Sequence, residues 1–262
     1  MASRAPTTRE KKRGNAPLSA ARRQLVYEVI SGGTGLLLAL FMWGHVVLVG
    51  SILTGERGFD WMATMLEDYY IAQPTVFAIF TIFLVHAAFA ARKIPAQLRE
   101  RKKILQLAKG LNQSGREKVA TRTEYSPFRP HVESLLWIWQ VRTGMIILVL
   151  GSFHLVLLGM DILTPLFGVG PGIDSAASME RVSAGLWLPY AVLLLCVEFH
   201  ASIGLYRLAI KWGADLWMSR KTMHRIERVI FWVVLGLGAL TLVVLAGWMD
   251  PPLAFLLDGT ST

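Results

Sequence analysis

The chain has 262 residues, 53% of them hydrophobic and 17% charged, with a mean hydropathy of +0.46. Soluble domains are typically ~25% charged, so this composition excludes an ordinary soluble enzyme and points to a membrane protein. The single cysteine, Cys196, excludes a disulfide framework, a Cys-only cluster and a CxxCH haem-attachment motif. The formal charge of +9 is distributed in a way that argues against nucleic acid as the partner.

In chain order, residues 1–28 form a polar, basic tail that does not look like a cleaved signal peptide. Five apolar stretches follow, at about 29–55, 69–91, 134–160, 182–206 and 229–249. Each has roughly the ~20 residues that a helix needs to cross a bilayer core. They are too long and continuous for barrel strands, and a helix satisfies its own backbone in lipid. The expected fold is therefore an all-α membrane protein with five transmembrane helices. No internal repeat or low-complexity tract is evident.

Lys and Arg set the orientation. The tail 1–28 holds seven, the segment 92–142 twelve and 207–228 six, while 56–68 and 161–181 hold only Arg57 and Arg181. With 25 of 27 basic residues on one side, the positive-inside rule puts the N-terminus in the cytoplasm and the C-terminus outside. The default partner of this charge is the lipid bilayer and its anionic headgroups. The loop 92–133 has a periodic part, IPAQLRERKKILQLAKGL, that reads as a surface helix and a docking surface for a cytoplasmic subunit.

Six histidines are present. His131 and His224 lie among cytoplasmic charges and read as ordinary interfacial residues. His45, His86, His154 and His200 fall one each on the first four spans. Intramembrane ionisable groups are costly and point to function. His45 lies ~25 Å from the cytoplasmic end of its span at 1.5 Å per residue, and His154 sits similarly in an outer half. His86 is six residues before Arg92 and His200 seven before Arg207, so both sit in the inner half. The four sort into His45/His154 and His86/His200, at levels roughly 15 Å apart. Two imidazoles at one level make a bis-histidine site suited to haem iron, whereas zinc usually takes three or four ligands. The expectation is two b-type haems, one above the other, in a bundle of the first four helices.

Smaller features join these. Ser31-Gly32-Gly33-Thr34-Gly35 permits close approach of a helix or a flat ring. Thr34 is eleven residues before His45 and shares its face. Lys211, eleven after His200, is a candidate for an inner propionate. Arg142 is another, because it lies inside a span. Glu198, two residues before His200, points ~200° away from it.

The pattern of one histidine on each of the first four of five helices, with Glu198 before the last, resembles the dihaem cytochrome b anchor of succinate:quinone oxidoreductases, most of all the single-chain anchor of quinol:fumarate reductases. The resemblance implies a subunit of the bacterial cytoplasmic membrane that binds two haems b and a menaquinone-type quinol. It implies docking to an iron–sulfur subunit and a flavoprotein, which hold the iron–sulfur clusters and the FAD. It makes Glu67 the acid that serves quinol oxidation, with Asp68 adjacent, and Glu198 a proton relay. Alternatives are the cytochrome b subunit of a hydrogenase, a formate dehydrogenase or a nitrate reductase, or a haem-free proton-coupled transporter, although repeat symmetry or broken helices expected of the last are not evident.

Overall fold

A computed structural model describes residues 16–92, 94–119, 132–169 and 172–258. The first 15 residues of the basic tail, the polar part of the long loop at 120–131 and His131 lie outside the described residues. The described residues are helical, with no strand among them. The long helices are α1 (Ala16–Gly50), α3 (Ala72–Ala91), α5 (Val132–Leu163), α7 (Trp187–Lys211) and α8 (Arg220–Leu245), and between them lie α2 (Glu56–Asp68), α4 (Ile94–Val119) and α6 (Ser175–Arg181). Five helices are apolar and long enough to cross a membrane.

Their ends differ from the sequence expectation in physical detail. α1 begins thirteen residues before the expected span, at Ala16. The added turns carry Glu28, whose carboxylate pairs with the Lys211 ammonium at the end of α7. The fourth span also extends backwards. α6 is capped by Asp174, whose Oδ1 accepts from Ala177 N at 2.6 Å. A five-residue π turn, Val182–Leu186, then leads into α7, with the bend at Gly185 (φ +122°). The segment between the first two spans reads in the sequence as a plain connection. In the structure it is α2, an amphipathic helix that buries Phe59 and Ala63 and exposes Trp61 and Asp68.

α1 packs mainly on α3, and α5 mainly on α7; α7 also packs closely on α8. The best-buried apolar cluster (Ile52, Leu53, Phe59, Val182, Val244, Leu245 and Ala246) lies where α2, the π turn and the ends of α1 and α8 meet. The chain beyond α8 is tied to the same place by Leu253 N, which donates to Leu53 O at 2.9 Å. Along the helices many large apolar side chains stay exposed, among them Val47, Val149, Val156 and Trp232. In water this would be a liability, but in a bilayer lipid tails are as apolar as the side chains they meet.

Candidate functional site

The long helices enclose an apolar cavity of about 1130 Å³. That exceeds the ~300–1,000 Å³ of an ordinary small-molecule pocket. His45, His86, His154 and His200 all line it. The rings stand in two pairs. His45 and His154 have centres 5.9 Å apart, with planes at 70°. His86 and His200 have centres 6.2 Å apart, with planes at 87°. Among the described residues no group of three or more His, Cys, Asp or Glu gathers as a metal-binding cluster, which leaves these as two-imidazole sites.

Each pair has the spacing of a metal sandwich. A metal–imidazole bond is about 2.0–2.1 Å, and a ring centre lies about 1.1 Å behind its nitrogen, so two rings on opposite sides of one ion have centres about 6.2–6.4 Å apart, which the His86/His200 pair meets and the His45/His154 pair approaches to within about 0.3 Å. The His86/His200 site also has the right protonation pattern. His86 Nδ1 lies 3.1 Å from Ser31 O, and His200 Nδ1 lies 2.9 Å from Gln140 O. A carbonyl only accepts, so each Nδ1 carries the proton and donates. Each ring's lone pair is then on Nε2, the atom a metal would take, as hydrogen-bond partners of ligating histidines usually arrange. At the other pair, Phe41 stacks on His45 at 5.6 Å, and Tyr190 meets His154 edge-on at 5.4 Å. His154 Nδ1 is buried without a hydrogen-bond partner among the described residues.

The remaining sequence candidates divide. Ser31 lines the cavity and acts through its carbonyl. Thr34 Oγ1 lies 3.3 Å from His86 Nδ1, so its contact is with His86 on α3. Lys211 lines the cavity at its basic end, paired with Glu28. Glu67 lines it at the end formed by α2 and α6, where Oε1 accepts from Ile173 N at 3.1 Å. Gly172 there has φ +93°, and a Cβ on it would come within 2.8 Å of both Glu67 oxygens. The turn therefore needs glycine for its backbone and for the carboxylate. Asp68 is exposed, so Glu67 is the member of that pair that faces the cavity.

Two candidates stand apart. Arg142 is exposed, with its guanidinium 5.9 Å from the Trp139 ring. It is two residues from both Gln140 and Gly144, which line the cavity, and two residues on a helix are about 200° of rotation. The structure therefore turns Arg142 away from the site. Glu198 is only 5% exposed yet does not line the cavity, whereas Val197, His200 and Ala201 do.

Several cavity residues lie outside the sequence candidates. Arg207 lines the basic end and donates to Gln140 Oε1 at 3.0 Å. Arg181 lines the opposite end and pairs with Asp161 at 2.5 Å. Asp60 of α2 accepts from Ser175 N at 2.7 Å and from Ser175 Oγ at 3.0 Å. That clasp fastens α2 to the start of α6 and so holds the turn that carries Ile173 and Gly172 against Glu67.

Residues 116–245 match the family model described as the succinate dehydrogenase/fumarate reductase transmembrane subunit. The fumarate reductase cytochrome b subunit of Wolinella succinogenes is 32% identical over 221 residues, covering 78% of this chain and 75% of the relative. The subunit of the same name from Helicobacter pylori strain 26695 is 32% identical over 223 residues, covering 80% and 76%. That of strain J99 is 31% identical over the same length.

Proposed function

The chain belongs to the succinate dehydrogenase/fumarate reductase transmembrane subunit family of multi-pass membrane proteins, and from that premise we propose that it is the dihaem cytochrome b anchor of a quinol:fumarate reductase. The observation that carries this reading is the spacing of the two imidazole pairs, 5.9 and 6.2 Å between ring centres. In it, His45 and His154 hold one haem b toward the outer face, and His86 and His200 hold the other toward the cytoplasm. Haem b supplies reversible one-electron transfer when bound. The distribution of 25 of 27 basic residues supports a cytoplasmic N-terminus and a periplasmic C-terminus. An iron–sulfur subunit and a flavoprotein, which carry the clusters and FAD, then dock on the basic face, and the complex lies in the bacterial cytoplasmic membrane.

Menaquinol binds at the outer end of the cavity beside Glu67. Its oxidation to the quinone gives up two electrons, which would leave one at a time along the cavity, and two protons, one taken by Glu67 and the other by water at the outer face. The Glu67 carboxylate accepts a hydroxyl proton as general base, held in place by Ile173 N. Lys211 and Arg207, at the basic end of the cavity, supply positive charge for the propionates of the inner group. The same residues serve succinate oxidation when the reaction runs in reverse. The decisive measurement is a haemochrome assay with a reduced-minus-oxidised spectrum on the purified complex. Two haems b per chain are expected; none, or a single one, would end the proposal.

Glu198 is buried and outside the cavity lining. In the proposed scheme it moves protons across the membrane while electrons cross along the cavity. Glutamine keeps its shape but carries no proton. Glu198→Gln is expected to slow menaquinol-dependent fumarate reduction by about 10²-fold, the lower end of what a proton-transfer group supplies, with both haems retained. An unchanged rate would leave Glu198 a structural role only.

A further inference from the structure

Gly35 of α1 stands in the same relation to His86 as Gly144 of α5 does to His200, and a threonine precedes each glycine, Thr34 Oγ1 also lying 3.3 Å from His86 Nδ1. A Cβ on Gly35 would lie 2.9 Å from His86 Cε1 and 3.3 Å from its Nδ1. A Cβ on Gly144 would lie 2.9 Å from His200 Cε1 and 3.2 Å from its Nδ1. The acceptor of each Nδ1 is the carbonyl four residues before that glycine, on Ser31 and Gln140. In a helix that carbonyl already accepts from the N–H of residue i+4, here the glycine itself. Only the missing side chain lets an imidazole reach the carbonyl's second lone pair. The threonine before the glycine touches the same carbonyl. Thr34 Oγ1 donates to Ile30 O at 2.6 Å and lies 3.3 Å from Ser31 O. Thr143 Oγ1 donates to Trp139 O at 2.7 Å and lies 3.2 Å from Gln140 O.

The repeat extends further along the helices. His45 is ten residues after Gly35, and His154 is ten after Gly144. Ten residues are about 15 Å of helix, so in each helix one Thr-Gly step sits at the level of one pair and one histidine at the level of the other. Glycine in a helix interior costs about 1 kcal/mol relative to alanine, and small residues also serve helix packing in membranes, but the nearest atoms that a Cβ at these two positions would meet belong to an imidazole. Open glycines exist nearby: a Cβ on Gly33 of α1, or on Gly44 beside His45, would meet nothing within 4 Å.

We infer that Thr34-Gly35 and Thr143-Gly144 are two copies of one seat, which fixes the rotation and the Nδ1 hydrogen bond of the imidazoles at the His86/His200 site. These are positioning residues. They act on the metal only through the histidines, and the inference rests on the two-haem reading above. Each threonine hydroxyl has one proton, given mainly to Ile30 O or Trp139 O, and the minor branch that reaches the acceptor carbonyl weakens that carbonyl's hold on Nδ1–H. Without the hydroxyl, the imidazole becomes more basic and favours the oxidised metal.

The test is a potentiometric titration of the α-band in the intact complex, with haem content measured in parallel. Gly35→Ala and Gly144→Ala are expected to disturb the same one of two reduction steps, by loss of that haem or a shifted midpoint, and to leave the other step alone. Gly33→Ala is the control and should match the parent chain. Thr143→Val is expected to lower the midpoint of that same step by about threefold in the reduced-to-oxidised ratio, about the weight of one modest hydrogen bond. At 59 mV per tenfold for one electron this is about 28 mV. Thr143→Ser, which keeps the hydroxyl, should titrate like the parent. If the two alanine variants disturb different steps, or Thr143→Val leaves both midpoints unchanged, the seat is overturned while the dihaem reading stands. A parent complex without two haems would overturn the reading itself.

Discussion

His200→Ala is expected to leave a complex with one haem b in place of two, and His86→Ala is expected to lose the same one. His45→Ala and His154→Ala should each lose the other. The reason is geometric. Each pair of rings stands at the separation of a single metal sandwich, 6.2 Å for His86/His200 and 5.9 Å for His45/His154. No third His, Cys, Asp or Glu among the described residues completes either site, so the loss of one ring leaves an axial position without a protein ligand. The pairing gives a sharper result than haem counts alone. Groups that act as one unit show large non-additivity, whereas distant ones add. The double variant His86→Ala/His200→Ala should therefore keep one haem, like either single change. His45→Ala/His200→Ala should keep none. Haem content and the α-band of the purified variants decide this. Loss of both haems from one single variant, with the complex still assembled, would contradict two independent sites.

The pairing of the histidines is legible in the sequence because counting residues from the basic helix ends sorts them into two levels. His86 and His200 lie six and seven residues from the first basic residue of their helices, and Lys and Arg mark the membrane edge. The structure holds the rings in the same two pairs. Arg142 is misplaced by similar reasoning. A charge inside an apolar run suggests a group that faces the interior, yet Arg142, the eleventh residue of α5, extends beside Trp139 on the exposed side. α2 escapes a search for apolar runs because its apolar residues, Phe59 and Ala63 among them, recur at helical spacing between charged ones, so this amphipathic pattern does not stand out as a run between two much longer apolar stretches. The seats escape it for another reason. Their acceptors are the backbone carbonyls of Ser31 and Gln140, and a carbonyl leaves no trace in the residue type. Their one visible sign, a Thr-Gly step ten residues before a histidine, occurs only twice. It acquires meaning once His86 and His200 are seen to lie against those glycines.

Glu67→Gln is expected to reduce menaquinol oxidation by the complex about 10²–10⁴-fold, the range that a positioned general base contributes. The substitution preserves nearly everything else. Glutamine has the same size, and its carbonyl oxygen can still accept from Ile173 N, as Glu67 Oε1 does at 3.1 Å. The turn at Gly172 and the Asp60–Ser175 clasp stay intact. What is lost is a carboxylate that can take up a proton at the end of the cavity. Glu67 belongs to neither imidazole pair, so both haems should remain, and succinate oxidation with a soluble dye, which bypasses the quinol, should run at the parent rate. Asp68→Asn is the companion variant. Asp68 is exposed and outside the cavity lining, so its removal should leave menaquinol oxidation unchanged. If Glu67→Gln oxidised menaquinol at the parent rate while Asp68→Asn did not, the proton acceptor would be the neighbouring carboxylate, reached by a rearrangement of the Tyr69–Tyr70 turn, where Tyr70 already has a left-handed backbone (φ +53°).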